Sequence, residues 1–202
     1  MRSVGGSSGA HRGDDGVAAV EGAIMSLLFF TVIFGILELG TAFKDYLTTG
    51  DIARTASRNA STYGNDASTD YWILQDVKGT ADGILDGTLE YIVVYKAPDR
   101  HATVSSVSAS CAAGTPVAGT CNVYTRADLS KAQTAFGCSA AALSPDRFWC
   151  PTTRKNASTA GTGGPPDFVG VYVKVTHHSL TGFLGSSTFK EDVITRIEPA
   201  QL

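Results

Sequence analysis

The sequence predicts an α+β chain. A long N-terminal transmembrane α-helix continues into a helical stalk, and a small antiparallel β-sheet domain with a disulfide-stapled loop insert completes it. Three observations predict it. Residues 22–37 hold no charge and no proline, and only Glu38 interrupts before Leu39-Gly40-Thr41-Ala42-Phe43. Three later segments, Leu89–Ala97, Phe168–Thr176 and Thr188–Ile197, are rich in β-branched and aromatic residues. All the cysteines, Cys111, Cys121, Cys138 and Cys150, lie beyond the apolar run.

Composition narrows the function classes. The chain has 202 residues and a formal net charge of −3, with no basic block. Nucleic acid is therefore not an expected partner. The part beyond Phe43 has roughly 160 residues, enough for one domain with its own core.

Residues 1–16 are Gly/Ser-rich and polar. They read as a cytoplasmic leader with no core-forming pattern. Val17–Phe43 would be about 40 Å long as a helix, and a bilayer core needs only about 20 apolar residues. The expectation is a single-pass membrane helix over 17–43. Its acids are costly, because a carboxylate at the bilayer centre costs about 2.5–3.5 kcal/mol on insertion scales. Glu38 is near one end and could reach the interface. Glu21 is harder to place, and it sits four residues after Val17. A cut after Gly16 would make Glu21 the fifth residue of the product, with the new α-amine of Val17 in need of a partner.

Beyond Phe43 the helix is expected to continue. Tyr46, Thr49, Ala53, Ala56, Ala60 and Tyr63 fall at spacings of three and four, one stripe of a helix. Gly50 is a candidate kink. Asp51 and Arg54 are in ion-pair reach. A second amphipathic helix is expected from about Thr69 to Asp86, with Leu74, Val77, Ala81 and Ile84 inward, Ser68 or Thr69 as cap and Gly87 as stop.

The strand Leu89–Ala97 ends at Pro98-Asp99. Thr103–Ser110 reads as a weaker strand, Cys121–Thr125 as a short one, and Asp128–Phe136 as a short helix. Residues 137–167 read as loop, with four prolines and a Gly/Thr/Ser tract at 157–164. In Phe168–Thr176, Val171, Val173 and Val175 share one face. An eleven-residue connection, His177–Ser187, leads to the last strand. These two strands are expected to pair antiparallel, with Leu89–Ala97 beside one of them.

The cysteine spacings do not suit a zinc knuckle. An even count beyond an anchor reads as two disulfides in an oxidising compartment, which places residues 44–202 outside the cytoplasm. Four cysteines allow three pairings. Cys111–Cys121 with Cys138–Cys150 is favoured, because Gly114, Pro116 and Gly119 would bend the first loop back on itself. Each closure is worth about 3 kcal/mol in the chain-entropy model.

No catalytic constellation, cofactor loop or metal cluster is read from the sequence, so no enzyme is expected. His177 and His178 are adjacent in a strand-like context and would point to opposite faces, as surface histidines. His11 and His101 have no companion carboxylate in sequence. Asn59-Ala60-Ser61 and Asn156-Ala157-Ser158 match a glycosylation acceptor that is taken as chance. Phe183-Leu184 is read either as folding over the sheet or as a contact for a partner or membrane interface.

Gly16 followed by an apolar helix with Glu21 at mature position five resembles the processing site of type IV pilins. Ala19-Val20-Glu21, with Phe34-Gly35-Ile36-Leu37-Glu38-Leu39-Gly40, resembles the TadE-like minor pilins of tight-adherence (Flp) pilus systems. The ending Val193-Ile194-Thr195-Arg196-Ile197-Glu198-Pro199 is similar to that family's last strand. The cysteine-bearing insert, about 98–167, has no counterpart in the resemblance. The resemblance implies a minor pilin or pseudopilin of the bacterial cytoplasmic membrane, processed at Gly16–Val17 by a prepilin peptidase. Glu21 would then pair with the mature N-terminal amine during assembly, among other pilins and assembly-platform proteins. Glu38 belongs to the same motif. The alternative is a single-pass anchored domain that binds an extracellular ligand through its cysteine loop and never joins a filament.

Overall fold

The computed structural model describes residues 14–84, 87–139, 143–156, 165–182 and 185–198. Contacts divide the chain into two units, residues 1–40 and 41–202. One helix, α1 (Asp14–Tyr63), supplies all the described structure of the first unit and the opening element of the second. The second unit continues with α2 (Thr69–Ala81), β1 (Gly87–Ala97), α3 (Val104–Val107), α4 (Ala109–Ala112), β2 (Cys121–Tyr124), β3 (Phe168–His178) and β4 (Ser186–Arg196).

The strands form one antiparallel sheet in the order β2-β1-β3-β4. Alternation along each strand sends side chains to two faces. Leu89, Ile92, Val94, Val171, Val173 and Val175 line the first face. They pack with Ile52, Ala53, Ala56 and Ala60 of α1 and Ile73, Leu74, Val77 and Ala81 of α2. Alanines at the middle of the α1 stripe let its backbone lie close to the strands. Val93, Tyr95, Ala97 and Tyr172 line the second face, under Val104, Cys111 and Cys121. The sheet is thus covered on both sides. The second face has one tight fit. A Cβ at Gly170 would stand 2.1 Å from the Tyr95 ring, so only glycine leaves room for that ring.

Five local expectations are corrected. Gly50 does not interrupt α1, because a penalty of about 1 kcal/mol does not break a helix packed on a sheet. The α2 helix stops at Ala81, with Asp82 as C-cap, and Gly87 opens β1 instead of ending the helix. Thr103–Ser110 is not a strand. Thr103 and Ser106 form a capping box around α3, and Ser108 Oγ accepts the Cys111 amide at α4. These short polar side chains bond their own backbone in competition with a ladder. Asp128–Phe136 holds two 3-10 turns, Arg126–Ser130 and Gln133–Ala135, instead of one helix. Asp128 closes the first turn by accepting from the amide and hydroxyl of Thr125. Finally, β3 and β4 reach further into their connection than expected, His178 pairing with Ser186.

Candidate assembly helix and its supporting domain

The described part of the first unit is a bare apolar helix. Its apolar stretch has a mean hydropathy of 2.2, and none of that stretch is buried. Val20, Met25, Leu28, Phe29 and Val32 are all exposed. The two hydroxyls inside it are turned onto the helix backbone. Ser26 Oγ donates to Gly22 O and Thr31 Oγ1 to Leu27 O, both at 2.7 Å. Such back-bonding satisfies a polar group where no water is available. A Cβ added at Gly16, Gly22, Gly35 or Gly40 would meet nothing within 4 Å. These small residues leave shallow places on the helix where a second helix could approach.

Gly16 and Val17 lie in the first turn of α1, which begins at Asp14 and so starts before the apolar run. First-turn amides have no intrahelical acceptor, so the Gly16–Val17 bond is in the turn that opens most easily. Glu21 is exposed. It stands one turn beyond Val17 on the same helix face, with Cβ atoms about 5–6 Å apart at that spacing. Glu38 differs: it is only 2 % exposed, while Leu37 and Leu39 are 52 % and 66 % exposed. The leader residues 1–13, the Gly/Thr/Ser tract 157–164 and Phe183-Leu184 lie outside the described residues.

In the second unit, α1 runs along β4 in the same direction. Tyr46 meets Phe189 edge-on, with ring centroids 5.8 Å apart. Further along, Ser57 Oγ donates to Thr195 Oγ1 at 3.1 Å, and Ser61 Oγ donates to the Arg196 carbonyl at 2.6 Å. Asp45 Oδ2 lies 2.8 Å from His177 Nδ1, and both residues are buried. His177 is therefore not a surface histidine. It ties the end of β3 to α1, while His178 on the opposite strand face is exposed.

At the other end of the sheet, Asp70 in the first turn of α2 anchors a buried polar cluster. Its Oδ2 accepts from Arg154 Nη2 at 2.7 Å, from Asn122 Nδ2 at 2.9 Å and from the Tyr124 hydroxyl. Asn122 also exchanges two bonds with the Trp149 backbone, each 2.8 Å. The Arg154 guanidinium lies 4.4 Å over the Trp149 ring. Burial, with Asp70 beside it, pushes the Tyr124 hydroxyl well above its ordinary value, so it stays a donor. This cluster fastens the insert to the sheet. The insert's disulfides are Cys111–Cys121 and Cys138–Cys150. Within the second loop, buried Asp146 accepts the amides of Gly137 and Cys138 at 2.8 and 3.0 Å.

Two carboxylates near the sheet are shifted in opposite directions. Burial pushes Asp192 up, against the Val104 amide and Tyr95 hydroxyl that donate to it. Burial also raises Asp128, but Lys131 and the donors of Thr125 outweigh it and hold that carboxyl below its ordinary value. Tyr172 is pushed up to about 12, chiefly by burial. Each of these groups has a structural partner. Asn59 and Asn156, the two acceptor-motif asparagines, donate to Asp76 and Asn65. Among the described residues no three His, Cys, Asp or Glu side chains group as metal ligands.

Residues 16–58 match the family model of TadE-like proteins. The matched segment is the exposed apolar helix together with most of the α1 stretch that packs on the sheet. Neither a curated protein nor a solved structure matches the chain.

Proposed function

We propose that this TadE-like chain is a minor pilin or pseudopilin of a tight-adherence type IV pilus. Prepilin peptidase removes residues 1–16, and the apolar half of α1 holds the product in the bacterial cytoplasmic membrane as a single pass. Residues 44–202 lie on the extracytoplasmic side. The product then passes to other pilins and the assembly platform. Glu21 pairs with the freed amine of Val17, its own or a neighbour's, so that two charges enter the helix bundle as one neutral pair. The reading assigns the chain no catalytic role and no cofactor.

One observation carries it: an exposed apolar helix with a carboxylate one turn beyond the Gly16–Val17 bond, inside the segment that matches the family. Mass spectrometry of the membrane-purified protein tests it. A mature N-terminus at Val17 is expected, and any other N-terminus removes the main support. Glu21→Ala should leave membrane insertion intact and impair incorporation into filaments. Normal piliation by that variant would count against the pairing role.

A second reading has an observation of its own. The Cys111–Cys121 bridge lies at the end of the sheet away from Asp45 and Tyr46, since Cys121 pairs with Tyr95 while His177 pairs with Gly87. That placement suits an anchored domain that holds out a ligand-binding insert without joining a filament. Crosslinks between cysteines introduced in the 17–43 helix of neighbouring copies would favour the filament subunit.

A further inference from the structure

We infer that Cys138–Cys150 is an exchangeable clasp: a dithiol oxidoreductase opens and closes it on the folded domain, and its state sets whether Trp149 is docked. The two bridges differ in access. Cys111 and Cys121 are both 0 % exposed and lie in the second-face core with Val93, Tyr95 and Val104. Cys121 is also a rung of β2, paired with Tyr95. A thiolate must meet a sulfur to exchange with it, so this bridge is reached only when the cover comes off the sheet. Cys138 and Cys150 are half-buried and belong to no strand or α-helix. Cys138 holds a φ of 63°, in the left-handed region that is costly for a residue with a Cβ. Opening the bridge frees that residue to relax.

The neighbours of the two sulfurs set the direction of exchange. Cys150 Sγ lies 3.0 Å from Thr152 Oγ1, a hydroxyl able to donate to a negative sulfur. Cys138 Sγ lies 4.0 Å from the buried Asp146 carboxylate, which would oppose one. Cys150 is therefore the leaving sulfur. A thiolate of the oxidoreductase attacks Cys138 Sγ and forms a mixed disulfide. The Cys138–Cys150 bond breaks, and its electron pair leaves on Cys150 Sγ, beside Thr152. The second thiol of the oxidoreductase, as thiolate, then attacks its partner sulfur and expels Cys138. The two protons of the dithiol end on Cys138 and Cys150, and the reverse sequence closes the clasp. Trp149 adjoins Cys150 in the chain. Its backbone exchanges two bonds with the Asn122 side chain, and its ring covers Arg154. The clasp thus fixes the segment that completes the buried Asp70 cluster. The chemistry asks only for a dithiol, so it stands whether or not the chain joins a filament.

The test treats the full chain, in detergent without denaturant, with dithiothreitol or with reduced thioredoxin. Thiols released over time are blocked with light iodoacetamide. The remaining bridges are then reduced, labelled with the heavy reagent and read at each cysteine by mass spectrometry. All the cysteines are paired at the start, so every light label marks an opened bridge. Light label at Cys138 and Cys150 is expected at least about ten times faster than at Cys111 and Cys121. Equal rates, or no label at 138 and 150 before 111 and 121, overturn the inference. A thioredoxin variant without its resolving cysteine should be trapped on Cys138, and a trap on Cys150 overturns the assigned direction of attack. In Trp72→Phe, Trp149 is the only tryptophan. Its quenching by acrylamide should rise when the clasp alone is opened, with the far-ultraviolet dichroism kept. Unchanged quenching overturns the switch and leaves a passive staple.

Discussion

The two halves of α1 share one secondary structure and have opposite surroundings. Residues 17–37 are almost wholly exposed and carry leucine, isoleucine, phenylalanine and valine. Between residues 49 and 61 the buried stripe is mostly alanine, threonine and serine, with Ile52 its one large side chain. The less hydrophobic half is the buried one. Burial follows from fit, because small side chains let α1 lie against the strands at close range. Hydrophobicity without such a fit marks a surface that awaits another apolar medium. The family match reaches into both halves, so the matched segment joins an exposed apolar helix to the first layer of a domain.

Substitutions that act on one region and not the other would sharpen or break this contrast. The largest effect is expected at the far end of the domain. Arg154→Met leaves the buried Asp70 carboxylate without its cation, at a cost of about 3–5 kcal/mol, read as a lower urea midpoint of the full chain in detergent. Replacing both Cys138 and Cys150 by serine should cost about 3 kcal/mol on the same assay. Ala56→Leu overfills the contact between α1 and the sheet and should cost about 1–3 kcal/mol. In the first half, Leu28→Asp should move that midpoint by no more than about 0.5 kcal/mol while reducing membrane retention in a carbonate wash. Equal midpoint losses for Leu28→Asp and Ala56→Leu would erase the distinction between the halves.

The smallest effect is in pH dependence. Asp128 has a depressed folded-state pKa, so its contribution is present above the unfolded value, about 3.9, and is lost as pH falls through the folded value. Asp192 has a raised one, so its contribution is fully present below the unfolded value and lost as pH rises through the folded value. Asp128→Asn should therefore flatten the loss of stability below about pH 4. Asp192→Asn should remove a contribution of the opposite slope. Urea midpoints taken across that range check both signs.

Much of the architecture was legible because it depends on local periodicity. The valines at 171, 173 and 175, the alanines at 53, 56 and 60, and the aliphatic stripe of α2 each declare a face. Gly16 and Glu21 draw the eye in the sequence for a different reason, since an acid in an apolar run is costly. The strand expected at 103–110 failed because Thr103, Ser106 and Ser108 cap their own turns, which alternation does not report. The buried charges escaped because their partners are remote. His177 is 132 residues from Asp45, and Arg154 is 84 from Asp70. The available signal was that Asp70 is a lone acid in the first turn of an otherwise apolar-faced helix.

The pairing of α1 with β4 has a consequence for how the molecule is made. Ser57 and Thr195 are 138 residues apart, so α1 is synthesised well before the strand that bonds it. Until β4 has emerged, Ser57 and Ser61 lack the partners they bond at Thr195 and Arg196, and the α1 stripe has only α2, β1 and β3 against it. A chain truncated before Phe189 should keep its tether and yet present a sticky, half-closed body, open to proteolysis and to capture by holding factors.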